Sequence, residues 1–446
     1  MQRGHLIIIG CGVHYRECYH RQLQNRSVEI ALAIDLKSQE EPIRQFFANQ
    51  ILQPKQLLFL DETFRNQLST EEIQTLIDPI IRSMTIDGVL ISTEPKARKS
   101  YFLWAMKQRF PVFMDKPISA FSSPEQVDLL LQDYQEMIQA SERYGVDAVV
   151  CCERRGHDGH LLVQDHLQGL IAEIEMPITG INIHFAGGIW NLPHEYPTLE
   201  NHPFKYGYGI LLHSGYHYID LLSRLLELNH PLFDPSELEL SLEVMSSNPA
   251  DQVAALGKNS YRFFESHKET PDHSTIQEEW KEFGETDVVL IGQVRRLGAV
   301  VTNFSMQLLG TSLSSRQSSI REGTIEGRVR QEQITIHLGP FCSVAISGYS
   351  FKTLYAGLPK DHFSTTIFQS PLLKGKVPMT VINRKDLCAL TADLDPRTTL
   401  NSRAKQWQLD EFLQGRDGHS SLQSHQGTVK LLHLIYSKIK SQLQLK

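Results

Sequence analysis

The chain predicts a doubly wound α/β domain with a parallel sheet, followed by an α+β domain built on a large, mainly antiparallel sheet. Three observations lead there. Over the first 120 residues, short and continuously apolar strands alternate with helical patterns, which is the signature of a parallel sheet covered on both faces. The first of these strands, Leu6-Ile7-Ile8-Ile9, ends on Gly10-Cys11-Gly12, and Asp35 closes the next, Ile30-Ala31-Leu32-Ala33-Ile34. From Leu238 onward the strands alternate apolar with polar residues and few helices separate them, as in an antiparallel sheet with one polar face.

The elements follow in order. Pro42 to Gln50 and Thr70 to Met84 read as helices, Gln56 to Leu60 and Asp87 to Ile91 as strands, Lys99 to Arg109 as a helix and Val112-Phe113-Met114 as a strand. Ser123-Pro124 starts a helix running to Tyr144, because serine caps and proline suits the first helical position. Asp147 to Cys152 is a strand, Asp158 to Ile171 a helix, Ile178 to Phe185 a strand and Gly207 to Glu227 a helix. Strands are then expected at Leu238 to Met245, Asp287 to Arg296, Ala299 to Leu309, Gly323 to Val329, Gln333 to Leu338 and Ser343 to Ser350. Asn248 to Phe283 reads as a polar insertion, and Tyr355 to Arg397 has no assignable period. Helical periodicity returns at Gln406 to Gln414 and Ser421 to Gln442.

At 446 residues the chain exceeds what one core accommodates. Two domains are expected, 1–120 and 121–446, with the closing helix returning toward the first. The net charge of -7 is modest and no basic block occurs, so nucleic acid and anionic membrane are not indicated as partners. No apolar run approaches the roughly 18 residues of a membrane span. His5 leads straight into the first strand without the apolar core of a signal peptide, and the six cysteines show neither a paired framework nor Cys-x-x-Cys spacing. A cytoplasmic protein with reduced thiols, acting on a small molecule, is the expectation.

The glycine turn is where chemistry enters. Glycines let the backbone approach a pyrophosphate at a helix N-terminus, and an acid about 20 residues on suits an adenosine ribose. Asp35 would accept from the 2′-hydroxyl of NAD and repel a 2′-phosphate, while Lys37 and Arg16 nearby leave NADP open. The third glycine position holds Tyr15, whose ring is expected to push the helix away from the strand. Asp115-Lys116-Pro117 stands where the last strand of the first domain runs out, so Lys116 is aimed at the cleft beyond the strand ends. His213, His217 and Asp220, spaced four and three apart, are expected on one helical face. Two histidines and a carboxylate also invite a metal, but the glutamate of His-Glu-x-x-His is missing, and no metal is expected.

Together these segments resemble the glucose-fructose oxidoreductase and inositol dehydrogenase family, Gfo/Idh/MocA. Asp87-Gly88-Val89-Leu90-Ile91-Ser92-Thr93-Glu94-Pro95 resembles its Asp-x-Val-x-Ile-x-Thr-Pro strand and loop on the nicotinamide side. Asp115-Lys116-Pro117 resembles its Glu-Lys-Pro. Gly209 to Asp220 resembles its segment ending Asp-x-Gly-x-His-x-x-Asp, and Asp410-Glu411-Phe412-Leu413 with the terminal helix resembles its ending.

The resemblance implies a Rossmann domain binding NAD or NADP and an open sheet that joins subunits into a dimer or tetramer. It implies reversible hydride transfer between nicotinamide and a carbinol, carbonyl or imine carbon of a sugar, cyclitol or related metabolite. The acid-base roles fall on Lys116 and His217, with His213 beside them. Cofactor contacts are expected from Gly10, Cys11, Gly12, Val13, His14, Asp35, Ser92, Thr93, Glu94, Arg98, Asp115 and Lys116. Substrate contacts are expected from Arg155, Trp190, Asn191, His213 and His217, with Arg154 and His194 as further candidates. The chain departs from the family at three places: His213 stands for the aspartate of Asp-x-Gly-x-His, Arg98 for a loop histidine, and Asp115 for the glutamate. A cationic or neutral neighbour in place of a carboxylate lowers the pKa of His217. A catalytically silent nicotinamide-binding sensor is the alternative, and a methyltransferase using S-adenosylmethionine is the third reading.

Overall fold

Continuous apolar runs become the interior strands of a parallel sheet, because a strand covered on both faces has no polar side to display. In the computed structural model six strands pair in parallel in the order β3-β2-β1-β4-β5-β6. They are β1 His5–Ile9, β2 Glu29–Leu36, β3 Pro54–Leu60, β4 Gly88–Ile91, β5 Val112–Asp115 and β6 Ala148–Cys151. The order reverses between β1 and β4, the switch point at which doubly wound sheets bind ligands beyond their strand ends. β6 lies past the boundary expected at residue 120.

The structure describes residues 3–65, 69–199, 203–255, 278–313, 329–351, 361–390 and 398–443. They divide into two units: Met1–Phe121 with Asp128–His157 and Asn401–Val429, and Ser122–Val127 with Asp158–Leu400 and Lys430–Lys446.

In the first unit Leu6, Ile8, Ile30, Leu90, Phe113 and Val149 from the strands pack with Leu409, Phe412 and Leu413 from the helix Leu400–Leu413. Tyr15 belongs to the same core and is fully buried, its hydroxyl 3.0 Å from His20 Nδ1. The bulky ring is accommodated where the helix changes its winding: Val13–Tyr15 is α-helical, Arg16–His20 forms a π turn, and Arg21–Leu23 is α-helical again. A wider turn of this kind inserts extra backbone without breaking the helix. Another difference lies at Pro95–Lys107, which starts before the expected Lys99 because Pro95 takes the first helical position.

The second unit holds an eight-stranded sheet in the order β14-β13-β12-β11-β7-β10-β9-β8. Its strands are β7 Gly180–Ala186, β8 Leu238–Ser247, β9 Asp287–Arg296, β10 Ala299–Leu309, β11 Val329–Leu338, β12 Cys342–Phe351, β13 Asp361–Gln369 and β14 Met379–Asn383. Every pairing is antiparallel except β7 with β10. Alternation sets the faces: Ile181, Ile183, Phe304, Met306, Ile334, Ile336, Val344 and Ile346 are buried, whereas Asn182, His184, Ser305 and Gln307 make hydrogen bonds on the exposed side.

Three expectations change here. The 355–397 region supplies β13, β14 and the helix Arg384–Leu390. Of the expected strand Gly323 to Val329 only Val329 lies within the described residues, as the first residue of β11. The expected helix Gly207 to Glu227 begins at Tyr216 instead. Gly209 and Gly215 explain that late start: a Cβ on Gly209 would meet the Glu285 backbone at 2.3 Å, and one on Gly215 the Ile210 carbonyl at 2.6 Å. Close turns at these glycines occupy the stretch that periodicity assigned to helix, so His213 precedes the helix that carries His217.

Candidate functional site

The glycine turn is shaped by contacts a side chain would destroy. Gly10 has φ +89°, and a Cβ there would stand 2.5 Å from the Ser92 carbonyl oxygen. Its N–H donates to Ile34 O at 2.9 Å, and the next N–H, of Cys11, donates to Asp35 Oδ2 at 2.6 Å. Asp35 therefore braces the turn that follows β1, and its other oxygen accepts the Leu36 N–H at 2.7 Å. Burial raises its pKa, opposed by these two bonds and by Arg16 and Arg65. Around Gly12, by contrast, a Cβ would meet nothing within 4 Å. Val13 and His14, the first residues of the helix, are exposed.

Asp115, at the end of β5, gathers the next layer. Its carboxylate accepts from Ser92 Oγ at 2.5 Å and from the Tyr19 hydroxyl, and lies 3.2 Å from His14 Nε2. Burial would raise its pKa, but His14, Arg98 and Ser92 hold it well below the usual carboxylate range. Packing of the imidazole against its neighbours removes hydration and would lower its pKa, but Asp115 and Cys18 prevail and push His14 up to about 9, so it is cationic at neutral pH. Arg98 is buried and donates to Thr93 O at 2.8 Å, to Asp115 O at 2.6 Å and to Pro117 O. It thus ties the loop after β4 to both sides of Lys116, whose bond to Pro117 is cis. Thr93 Oγ1 donates to Glu94 O at 3.3 Å, and Glu94 precedes the helix at Pro95.

Lys116 is brought down to about 8, mainly by burial and also by Lys405 and Arg98, with Glu153 and Asp115 opposing. An amine poised there holds or releases a proton near neutral pH, which is the requirement for a general acid or base. Behind it runs a chain of ionisable groups. Lys405 Nζ is 2.8 Å from Glu153 Oε1 and 3.7 Å from Cys18 Sγ, which is 3.6 Å from His14 Nδ1. Burial raises the Cys18 thiol, yet Lys405 and His14 prevail and bring it down to about 7. Alkylation of Cys18 by iodoacetamide is therefore expected to reach half its limiting rate near pH 7, and Lys405→Met should move that midpoint upward. A wild-type midpoint at the ordinary thiol value of ~8.5 would refute the contact.

Arg155 is almost fully buried and donates to His419 O at 3.1 Å and Ser424 O at 3.0 Å, and Arg154 donates to Asn401 Oδ1 at 2.6 Å. Both guanidiniums tie Asn401–Val429 into the rest of the first unit.

The remaining sequence candidates lie in the second unit. His217 is buried in the first turn of the helix Tyr216–Glu227. His213 is half-buried in the preceding turn, with its N–H directed to Gly209 O at 3.1 Å and Ile210 O at 3.2 Å. Trp190 Nε1 donates to Ser312 O at 2.5 Å, Asn191 is buried and His194 is exposed. The turn carrying His213 is braced by Glu285, whose Oε1 accepts the Leu211 N–H at 2.8 Å and the Tyr436 hydroxyl at 3.0 Å.

Burial pushes Glu285 up to about 7 from an ordinary 4.5, against those hydrogen bonds. The folded state consequently binds this proton more tightly than the unfolded chain. Its favourable contribution is full below pH 4.5 and is lost as pH rises to about 7. Glu285→Gln keeps the acceptor oxygen and is expected to remove this part of the slope in urea-unfolding free energy against pH. Identical slopes in both proteins would show that Glu285 titrates normally.

Sequence reasoning missed Tyr19, Cys18, Glu153, Lys405 and Glu285. Glu153 follows β6 as Lys116 follows β5, so strand-end logic could have found it. Lys405 lies 387 residues from Cys18, and no local pattern marks it. Among the described residues, no group of three or more His, Cys, Asp or Glu side chains is placed to hold a metal ion. No helix among them is long and apolar enough to cross a membrane.

No protein-family model matches the chain, and no curated protein matches it in sequence. Solved structures do match it. One is an oxidoreductase from Agrobacterium radiobacter in complex with NAD+, L-tartaric acid and magnesium, at 12% identity and TM-score 0.56 over 98% of this chain and 97% of that one. Another is the WlbA dehydrogenase from Chromobacterium violaceum in complex with NADH and UDP-GlcNAcA, at 12% identity and TM-score 0.55 over 99% and 95%. A third is the aldose-aldose oxidoreductase from Caulobacter crescentus complexed with glycerol, at 13% identity and TM-score 0.56 over 99% and 98%. At such identities the likeness is one of fold.

Proposed function

We propose that the chain is an NAD-dependent oxidoreductase of the Gfo/Idh/MocA type. Its reaction transfers a hydride between nicotinamide and a carbinol, carbonyl or imine carbon of a small polar substrate such as a sugar or cyclitol. The observation that carries this reading is Lys116, a half-buried lysine with a pKa of about 8 at the end of β5, where Arg98 holds the carbonyls on either side of it. The glycine turn of β1 reaches the same layer through Ser92 and His14. Solved proteins of the same fold are complexed with NAD+ and NADH, and two are named for sugar chemistry or hold a nucleotide sugar.

The residues present suit the cofactor. The open space at Gly12 and the exposed start of the helix at Val13 would receive the pyrophosphate. His14, cationic through Asp115, would add a positive charge there. Ser92, Thr93, Glu94 and Arg98 would line the nicotinamide side. Asp35 favours NAD over NADP, although its contact with the Cys11 N–H makes it a brace of the turn as well. Bound nicotinamide would supply the hydride acceptor or donor. Lys116 would hand a proton to the substrate oxygen in the reductive direction and take it back in the oxidative direction, with His217 as the second member of the acid-base pair. Trp190, Asn191 and His213 are the proposed substrate contacts. The exposed face of the eight-stranded sheet is the proposed contact between subunits.

Titration with NADH, NADPH and S-adenosylmethionine tests the reading. A nicotinamide fluorescence change saturating at lower NADH than NADPH is expected, and no change with either reduced nucleotide would overturn it. His213 favours one second reading, a nicotinamide-binding sensor, because it puts an imidazole where a carboxylate would support His217. Binding of NADH without turnover across polyols, nucleotide sugars, keto compounds and imines would select that reading.

A further inference from the structure

Glu153 and Lys405 belong to no part of the scheme above, yet they stand next to its central amine. In the parallel pairing of β5 with β6, Asp115 is registered against Cys151. The two chains leave the sheet side by side, so Lys116 and Glu153, one and two residues further on, emerge from neighbouring strand ends. Lys405 arrives from the helix Leu400–Leu413 and sets its ammonium 2.8 Å from Glu153 Oε1, with both side chains largely buried.

We propose that Glu153 and Lys405 are positioning residues for Lys116: one carboxylate shared by two lysines, with Lys405 drawing its charge away from Lys116 so that Lys116 can part with a proton. The proposal rests on the reading of Lys116 as the acid-base group. Two opposite effects follow from the signs of the charges. Removing the Glu153 charge leaves two ammonium groups facing each other and favours neutral Lys116; removing Lys405 returns the carboxylate to Lys116 and favours its ammonium form. Asp115 and Arg98 also act on Lys116, the carboxylate favouring its ammonium form and the guanidinium opposing it. The Arg154 guanidinium is 4.0 Å from Glu153, and Cys18 and His14 continue the chain beyond Lys405. A residue that only supported the fold would not move the titration of Lys116 in opposite directions.

The test needs neither substrate nor cofactor. Trace acylation of the full chain with acetic anhydride, followed peptide by peptide by mass spectrometry across roughly pH 6 to 10, reads the neutral fraction of each lysine. Near neutral pH, Glu153→Gln should raise the Lys116 acylation rate roughly three- to tenfold and Lys405→Met should lower it by a similar factor. Glu153→Asp and Lys405→Arg keep the charges and should leave the rate within about twofold, which separates a charge effect from a folding defect. Shifts of the same sign, or no shift, overturn the proposal. NADH titration of the wild-type chain distinguishes the two levels: opposite shifts without NADH binding sink the oxidoreductase reading and leave the coupling standing, and NADH binding without the shifts does the reverse.

Discussion

Lys116→Met should lower kcat by about 10²- to 10⁴-fold on any substrate the wild-type chain turns over, with the NADH titration changed little. The expected size follows from the proposed role of the amine: it would meet charge as it develops on the substrate oxygen, so its loss would be felt in the transition state more than in binding. Its pH signature is equally specific. Lys116 carries its proton below about pH 8 and loses it above, so the reductive rate should be flat below that value and fall as pH rises through it. In the oxidative direction the neutral amine would take the hydroxyl proton, so the limb contributed by Lys116 rises through the same pH and levels off above it. A variant that keeps its turnover, or loses NADH binding in proportion to kcat, would show that Lys116 is a cofactor contact and not the acid-base group.

Gly10→Ala is expected to abolish NADH binding and to lower stability by about 2 kcal/mol or more. Two costs add at this position. The backbone has φ +89°, which alanine adopts only with strain, and the new Cβ would overlap the Ser92 carbonyl at 2.5 Å and the Thr93 nitrogen at 2.9 Å. Neither neighbour is a flexible side-chain end. Relief requires β1 and the loop after β4 to separate, which also pulls Ser92 away from Asp115. Gly12→Ala provides the contrast, since its Cβ would meet nothing within 4 Å; it should fold normally and affect only what occupies that space. Thermal unfolding and NADH titration of both variants check the pair. Normal binding by Gly10→Ala would mean that the turn yields without disturbing the site.

Much of this architecture was legible along the chain. Leu6 to Ile9 and Ile30 to Ile34 are apolar on both faces, and such strands have few places to go except the middle of a parallel sheet. β9 and β10 matched their expected limits because alternation there is nearly strict and the short Leu297-Gly298 turn leaves little freedom. Asp115-Lys116 was legible as a strand end. The late start of the helix at Tyr216 was not, because His213, His217 and Asp220 keep helical spacing, while Gly209 is closed against Glu285 from a distant stretch of chain and Gly215 against the Ile210 carbonyl. β13 and β14 were hidden by their short polar residues; Ser364, Thr365 and Thr366 become strand through pairing with β12 and β14.

The amino-acid order alone determined that the first unit is a doubly wound parallel sheet, that a glycine turn follows its first strand, and that a lysine stands at the end of its fifth. Periodicity and turn chemistry act over a few residues, and those features are local. Only the tertiary structure decided how Lys116 is charged. Its neighbours Arg98, Glu153 and Lys405 come from three separate stretches of chain, burial strips them of water, and electrostatic effects then depend on distances in space that no spacing along the sequence records. The same holds for Asp35, which the pattern assigned to a ribose and the fold also uses to brace the turn.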